Sequence, residues 1–348
     1  MLVKVLTQMD QSKFDIFVVT LIDGGELQEK LEAKGIRVYS IGFKKRVSDF
    51  FRVFKLINTL RSLRPNVLQA WLYHCNLLSC FLSFFLSNEV KICWNIRSSL
   101  HAFSKEKIFT KIAIQFGAYF STFADLVLVN SKESYRQHLN FGYCSKNLKL
   151  LGNGFDTSIY KVDVHSREEL RKIWNVKSSE LLIGIVARVH REKGQKFFLS
   201  NFIPPENVKI LIVGRGAKER DFKSFVASLP FADRVILEES RNDVHRVLNA
   251  VDILVSPSET DSFPNIVAES LLCGALPLAT NVGDVSEIIR DERFIFRKRD
   301  QESFQSQIEQ SISIDQDERR KISKTLSENI IENYSISKIT KMYESLYL

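Results

Sequence analysis

A chain of 348 residues with 45% apolar residues is long enough for two ordinary domains with sizeable cores. Its net charge of +8 is uneven: residues 1–150 hold 21 Lys and Arg against 11 Asp and Glu, the remainder 28 against 30. One basic half without a nucleic-acid motif argues against a nucleic-acid partner, and no stretch reaches the roughly 18 apolar residues of a membrane span.

In chain order, residues 1–12 read as helical, with Lys4, Gln8 and Asp10 too early for a signal peptide. Asp15–Leu21 reads as a buried strand, Gly24 and Gly25 turn the chain into a helix at Glu26–Lys34, and Arg37–Ile41 is the next strand. A helix over 49–63 stops before Pro65. Here Lys44, Lys45, Arg46, Arg52, Lys55, Arg61 and Arg64 surround Phe43, Phe50, Phe51, Phe54, Leu56 and Leu60. That is either a solvated face over an ordinary core stripe or a helix resting on an anionic membrane surface. There follow the strand Val67–Leu72, a helix over 76–87, the strand Lys91–Ile96, a helix over 104–121, the strand Leu126–Asn130, a helix over 131–140 and the strand Leu148–Leu151. This alternation is that of a parallel sheet wound with helices. It opens on a helix where a strand would normally stand, so one sheet position is expected to be exposed.

Gly152–Ser166 reads as a linker. Beyond it come the strand Leu181–Val186, a helix over 194–201, the strands Lys209–Val213 and Arg234–Leu237, the helix Asp243–Ala250 and the strand Val251–Val255. A final helix over about 318–348 is long enough to cross back onto the first domain. The expected organisation is α/β throughout: doubly wound domains at 1–160 and 161–325, a returning helix at 326–348, and a ligand cleft at the carboxyl ends of the strands. The five cysteines are odd in number and lack metal-ligand spacing, which suits small buried side chains in a reduced, cytoplasmic protein.

The chemistry concentrates in Ser256–Glu287, SPSETDSFPNIVAESLLCGALPLATNVGDVSE. A strand runs into a loop rich in carboxylates and turn formers, and the loop opens a helix near Pro264. Asn265, Ile266 and Val267 would aim backbone N–H groups and the positive dipole end at a phosphate. Asp261 and Glu269 flank that helix mouth; carboxylates beside a phosphate site suit sugar hydroxyls, hence a sugar nucleotide. In IGIVARVHREKG, Arg188 and Lys193 follow a strand, spaced to close on a diphosphate; an exposed basic loop is the plainer reading. ILIVGRG ends a strand in glycines, Gly214 first, that permit close backbone approach. ESRND, with Arg241 and Asn242, is either a base-reading edge or a set of caps and turns. His74 ends the strand VLQAWLYH on the cleft side.

The order of these motifs resembles family 4 of the retaining glycosyltransferases, built on the two-Rossmann GT-B fold. In that family a Glu, seven residues and a second Glu form the donor-site signature; Asp261 and Glu269 occupy this frame, with Phe263, Pro264 and Asn265 between them and CGALPLAT after. ARVHREKG, IVGRG, SRNDV, PNVLQAWLYHCNLL, CWNIRSS, LVNSKES and LGNGFD extend the resemblance over nearly the whole chain. It implies Glu269 on the nucleotide ribose, the amides of Ile266 and Val267 on the phosphates, Arg188 and Lys193 on the diphosphate, Asp261 on the transferred sugar and His74 near the reacting sugar. Three features depart from the family: Asp261 stands where Glu is usual, Ser262 where Gly is common, and the usual first strand with its glycine-rich loop has no counterpart.

The resemblance further implies retaining transfer of a sugar from a nucleoside diphosphate to a glycan or lipid-linked acceptor, in surface-polysaccharide assembly at the cytoplasmic face of the membrane. The implied mechanism is front-face, without a dedicated protein base, a metal or another cofactor. Two readings of other classes stay open: a sugar-nucleotide epimerase of the same fold, and a non-catalytic nucleotide-sugar-binding protein.

Overall fold

Short apolar runs and helical stripes alternate in the computed structural model, which describes residues 1–44, 50–101 and 103–348. Residues Met1–Gly154 and Ile336–Leu348 form one unit, Phe155–Ser335 another. The first unit runs α1 (Leu2–Leu6), β1 (Phe17–Thr20), α2 (Glu26–Glu32), β2 (Arg37–Ser40), α3 (Phe50–Leu63), β3 (Val67–Trp71), α4 (Tyr73–Ser83), β4 (Lys91–Ile96), α5 (Ile108–Phe120), β5 (Leu126–Val129), α6 (Lys132–Phe141) and β6 (Leu148–Leu150). The chain's last helix, Ile336–Tyr347, completes it.

Strands β3, β4, β5 and β6 form one parallel sheet in that order, and β1 and β2 form a separate parallel pair. Side chains join what the backbone leaves apart. Val19 of β1 and Leu68 of β3 share a cluster with Leu56 and Leu60 of α3 and Leu82 of α4. On the other face Ile16 and Val67 pack with Val5 and Tyr343. Period two sorts the central strands: Ile92, Trp94 and Ile96 face α4–α6, while Cys93 faces the last helix. Thr20 Oγ1 and Gln69 Nε2, on β1 and β3, are buried without a hydrogen-bond partner.

The second unit runs α7 (Val164–Ile173), β7 (Leu181–Val186), α8 (Gln195–Asn201), β8 (Val208–Val213), α9 (Arg220–Ala227), β9 (Val235–Glu238), α10 (Val244–Ala250), β10 (Ile253–Ser256), α11 (Asn265–Leu272), β11 (Leu276–Thr280), α12 (Val285–Ile289), β12 (Ile295–Phe296), α13 (Gln301–Ser313) and α14 (Gln316–Tyr334). Its parallel sheet has the order β12-β11-β10-β7-β8-β9. Ile183 and Ile185 face one core and Leu182 the other, as expected of apolar strands buried on both sides. The order reverses between β7 and β10, so the loops following those neighbours part to opposite faces and leave a crevice at their carboxyl ends.

Two expectations change. The stretch read as a linker contains the start of α7, whose first turn is capped by Asp163 accepting from Ser166 N. The single final helix is two, because Ser335 is extended, forms a bridge with Phe155, and the Tyr334 carbonyl accepts from Phe155 N at 2.8 Å. With that carbonyl taken and Ser335 outside the helical region, the helix cannot run through. No helix among the described residues is long and apolar enough to cross a membrane.

Candidate active site

The reversal point in the second unit brings together the two loops singled out in the sequence. The loop after β7 passes Arg188 and ends in Lys193 and Gly194; the loop after β10 carries Asp261. Lys193 Nζ lies 3.0 Å from Asp261 Oδ2, a half-buried ion pair between the two. Backbone closes the same junction: Glu259 N donates to Glu192 O at 2.7 Å. Gly194 has φ +70°, and a Cβ there would stand 2.0 Å from the Pro257 carbonyl oxygen, so only glycine fits this crossing. The other oxygen of Asp261 accepts from Ser262 N at 2.9 Å.

A second crossing fixes the loop after β8. Gly214 has φ +152°, and its Cβ would meet the Ala187 carbonyl oxygen at 2.1 Å. Glu239, after β9, accepts from the backbone N of Lys218 at 2.9 Å and of Gly216 at 3.4 Å. Arg188 is exposed between these loops, and Gln195 Nε2 holds its carbonyl at 2.9 Å.

Helix α11 opens beside Asp261. Pro264 is its N-cap rather than its first helical residue, no side chain caps it, and its first turn holds no acid to compete with an anion. Asn265 is exposed. The Val267 N–H donates to the Pro264 carbonyl at 3.1 Å in a tight first turn. Glu269 is only 8% exposed and accepts from the Tyr160 hydroxyl. Burial, and then the Glu269 charge, push both the Tyr160 phenol and the Cys273 thiol upward. The Tyr160 contact is one that sequence reasoning missed, since Tyr160 lies in the apparent linker and no motif marks it.

Other expected residues do structural work. The Phe263 ring, 4% exposed, stacks on Phe155 at 6.1 Å and packs against Tyr334, so it anchors the loop from the core side. Arg241 forms a two-point contact with Asp243 at 2.7 and 2.8 Å; Asn242 beside it is exposed. In the first unit, His74 stands in the opening turn of α4 rather than at a strand end, because β3 stops at Trp71 and Leu72 turns the chain with φ 75°. No group of three His, Cys, Asp or Glu side chains among the described residues is placed to hold a metal.

The chain matches two family profiles, Glycosyltransferase Family 4 over residues 2–159 and Glycosyl transferases group 1 over residues 166–329. It is 24% identical over 209 residues to N-acetyl-alpha-D-glucosaminyl L-malate synthase of Bacillus anthracis, covering 58% of this chain and 54% of that protein. It is 23% identical over 212 residues to UDP-Gal:alpha-D-GlcNAc-diphosphoundecaprenol alpha-1,3-galactosyltransferase of Escherichia coli, covering 58% and 54%. The matched segments thus span about half the length of these curated relatives. Among solved structures, Anabaena HepE in complex with UDP and glucose superposes with a TM-score of 0.84 at 18% identity, over 99% of this chain and 95% of that one.

Proposed function

We propose that this chain, which belongs to the glycosyl transferases of group 1, family 4, and has their GT-B fold, moves a sugar from a nucleoside diphosphate to a hydroxyl group with retention at the anomeric carbon. The observation that carries the reading is the junction of Lys193 and Asp261 beside the uncapped start of α11. A cation, a carboxylate and a helix N-terminus at a strand-order reversal suit a ligand that is phosphate at one end and polyol at the other.

In this reading Arg188, Lys193 and the Ile266 amide hold the diphosphate, Glu269 the ribose and Asp261 the transferred sugar; the resemblance assigns His74 to the sugar as well. The bond from the anomeric carbon to the diphosphate oxygen breaks while the acceptor oxygen bonds from the same face. The acceptor proton passes to the leaving phosphate oxygen, whose growing charge rests on the two cations and the amide. No metal takes part, so transfer survives a chelator. The acceptor is a glycan or a lipid-linked sugar of surface-polysaccharide assembly, a class supported by the diphosphoundecaprenol named for the Escherichia coli relative.

The test is a thermal-shift screen of the purified chain against nucleotide sugars, UDP-sugars first because HepE was solved with UDP. A donor at 100 times its Kd stabilises the chain by about 2.7 kcal/mol. Product analysis with a lipid-linked acceptor then follows. Donor binding without transfer to any supplied acceptor would leave a binding protein, and a new sugar nucleotide from donor alone would mean an epimerase.

A further inference from the structure

Of the basic stretch at residues 44–64, Lys45 and Arg46 lie outside the described residues, and Leu56 and Leu60 among its cations are buried in the core. Beyond residue 150 the chain is nearly neutral, with 28 Lys and Arg against 30 Asp and Glu, yet it gathers cations where no sequence motif marks them. A cavity of about 270 Å³ lies at the amino ends of two strands of the second unit, beside Asp252, which precedes β10, and Gly274, which closes α11 before β11. The crevice with Lys193 and Asp261 is at the carboxyl ends of the same sheet, so the two are separate. Four cations line the cavity, Arg167 of α7 and Arg319, Arg320 and Lys324 of α14, against two acids, Asp163 and Asp252.

Both acids are already engaged. Asp252 Oδ2 pairs with Arg171 at 2.9 Å and accepts from Leu182 N at 2.7 Å, and its other oxygen takes Arg167. Asp163 caps α7, accepting from the N and Oγ of Ser166. Arg319 is the cation left over. It is only 8% exposed, it forms no ion pair among the described residues, and only its Nη1 is held, by the carbonyls of Ser311, Ile312 and Ile314 at the end of α13. Asp315, one turn before it, is occupied as the cap of α14. A buried guanidinium with donors to spare and no counter-ion is costly until an anion reaches it. Arg320 and Lys324, exposed and one turn apart, likewise form no ion pair among the described residues.

Charge and lining together identify the ligand. Four cations less two acids leave the walls at +2, which matches the charge of about −1.5 to −2 on a phosphate monoester near neutral pH better than that of a monocarboxylate. The rest of the lining is apolar, with Val162, Val164, Leu271 and Leu272, and gives the organic part of an ester a surface that a free inorganic ion would leave bare. We propose that this cavity is a second binding site of the chain, for a phosphate monoester with a small apolar body. Tyr160 links it to the donor crevice. Two residues before Val162, Tyr160 donates to Glu269, and Asn249 of the cavity wall fixes the stretch between them, accepting from Asp163 N at 2.6 Å and donating to the Lys161 carbonyl at 2.9 Å. An ester against Val162 and Val164 therefore bears on the same short segment as a nucleotide on Glu269. The link rests on the reading of Glu269 as a donor contact; the site does not.

Calorimetric titration of the full chain with phenyl phosphate, with and without UDP, tests the site. One molecule should bind per chain, at least about tenfold more tightly than inorganic phosphate or benzoate. Arg320→Glu with Lys324→Glu should keep the melting temperature and weaken phenyl phosphate at least about tenfold, while Lys193→Ala leaves it unchanged. Absence of binding at millimolar phenyl phosphate, or binding indifferent to the Arg320 and Lys324 pair, overturns the proposal. Equal affinity for inorganic phosphate makes the free ion the occupant and overturns the ester, equal affinity for benzoate overturns the dianion, and loss in Lys193→Ala places the binding in the donor crevice. The link predicts that phenyl phosphate shifts the affinity for UDP about fivefold or more, and that Tyr160→Phe abolishes the shift. An unshifted affinity removes the link and leaves the site standing; a chain that binds phenyl phosphate but no UDP sinks the donor reading alone.

Discussion

Lys193 Nζ and Asp261 Oδ2, 68 residues apart in sequence, meet at 3.0 Å where the loops after β7 and β10 cross. Both side chains are about a quarter exposed, so the pair contributes little to stability, in the range of about 0–1 kcal/mol. A diphosphate arriving beside Lys193 changes that balance, since it offers more charge than one carboxylate. Lys193→Ala should therefore leave the melting temperature nearly unchanged and reduce transfer by about a hundredfold or more. Unchanged turnover in a folded Lys193→Ala protein rules out the assignment. Asp261→Asn should bind UDP normally and lose discrimination at the sugar, seen by comparing calorimetric affinities for UDP and its sugars.

Gly194→Ala should damage the same junction through the backbone. The new Cβ collides with the Pro257 carbonyl oxygen, and neither group is a flexible side chain. We expect destabilisation of about 1–3 kcal/mol with a weakened donor affinity. Gly216→Ala is the control: its φ is also positive, but its Cβ finds its nearest neighbour at 3.4 Å, so the loss should be smaller. Equal losses in the two variants would mean that the crossing is not what glycine at position 194 serves.

Tyr160→Phe removes the hydroxyl that donates to the buried Glu269 carboxylate. The expected stability cost is about 1–3 kcal/mol, because a buried charge loses a hydrogen bond. Ribose recognition should suffer alongside: affinity for UDP should drop several-fold, and affinity for inorganic pyrophosphate should hold. Calorimetry with both ligands decides it, and parallel losses would place Tyr160 outside ribose binding.

His138 sets an acid limit on the first unit. Its ring is buried, hydrogen-bonded through Nε2 to the Tyr73 hydroxyl at 2.8 Å and through Nδ1 to the Ser134 carbonyl at 2.7 Å. Burial pushes its pKa down to about 4 from an ordinary 6.5. The unfolded chain therefore binds this proton first as pH falls. The stability that neutral His138 confers is fully present above about pH 6.5 and is lost progressively down to about pH 4, on the order of 3 kcal/mol. Urea titrations across that window should show the slope, and His138→Gln should flatten it; a slope unaltered by the substitution assigns the acid sensitivity elsewhere.

The sequence announced the strands that are buried on both faces. Leu181–Val186 stands where its unbroken apolar run places it, since such a run has nowhere to go but a sheet interior. Helix α13 was silent because only Phe304, Ile308 and Ser311 turn inward, too thin a stripe to stand out in a polar segment. Side-chain fates were less legible than spacing. Val267 and Ile266 look equivalent in sequence, yet the N–H of Val267 is satisfied within its own turn. The sequence does not show that Arg241 is held by Asp243, two residues on. On α5, periodicity marks an apolar stripe without saying whether protein covers it, and Phe109 shows that none does.

The separation of β1 and β2 from the four-stranded sheet makes the first unit unequal in its resistance to opening. Two strands of four residues each, joined by a parallel ladder, hold few backbone bonds and are marginal alone. Their persistence depends on Val19, Leu21 and Ile41 staying packed on α3. Amide protons of Phe17–Thr20 and Arg37–Ser40 should therefore exchange through a local opening well below the global unfolding free energy, while those of Lys91–Ile96 and Leu126–Val129 report the global event. Heat or protease would then find the amino-terminal strands first, and the rest of the unit would outlast them.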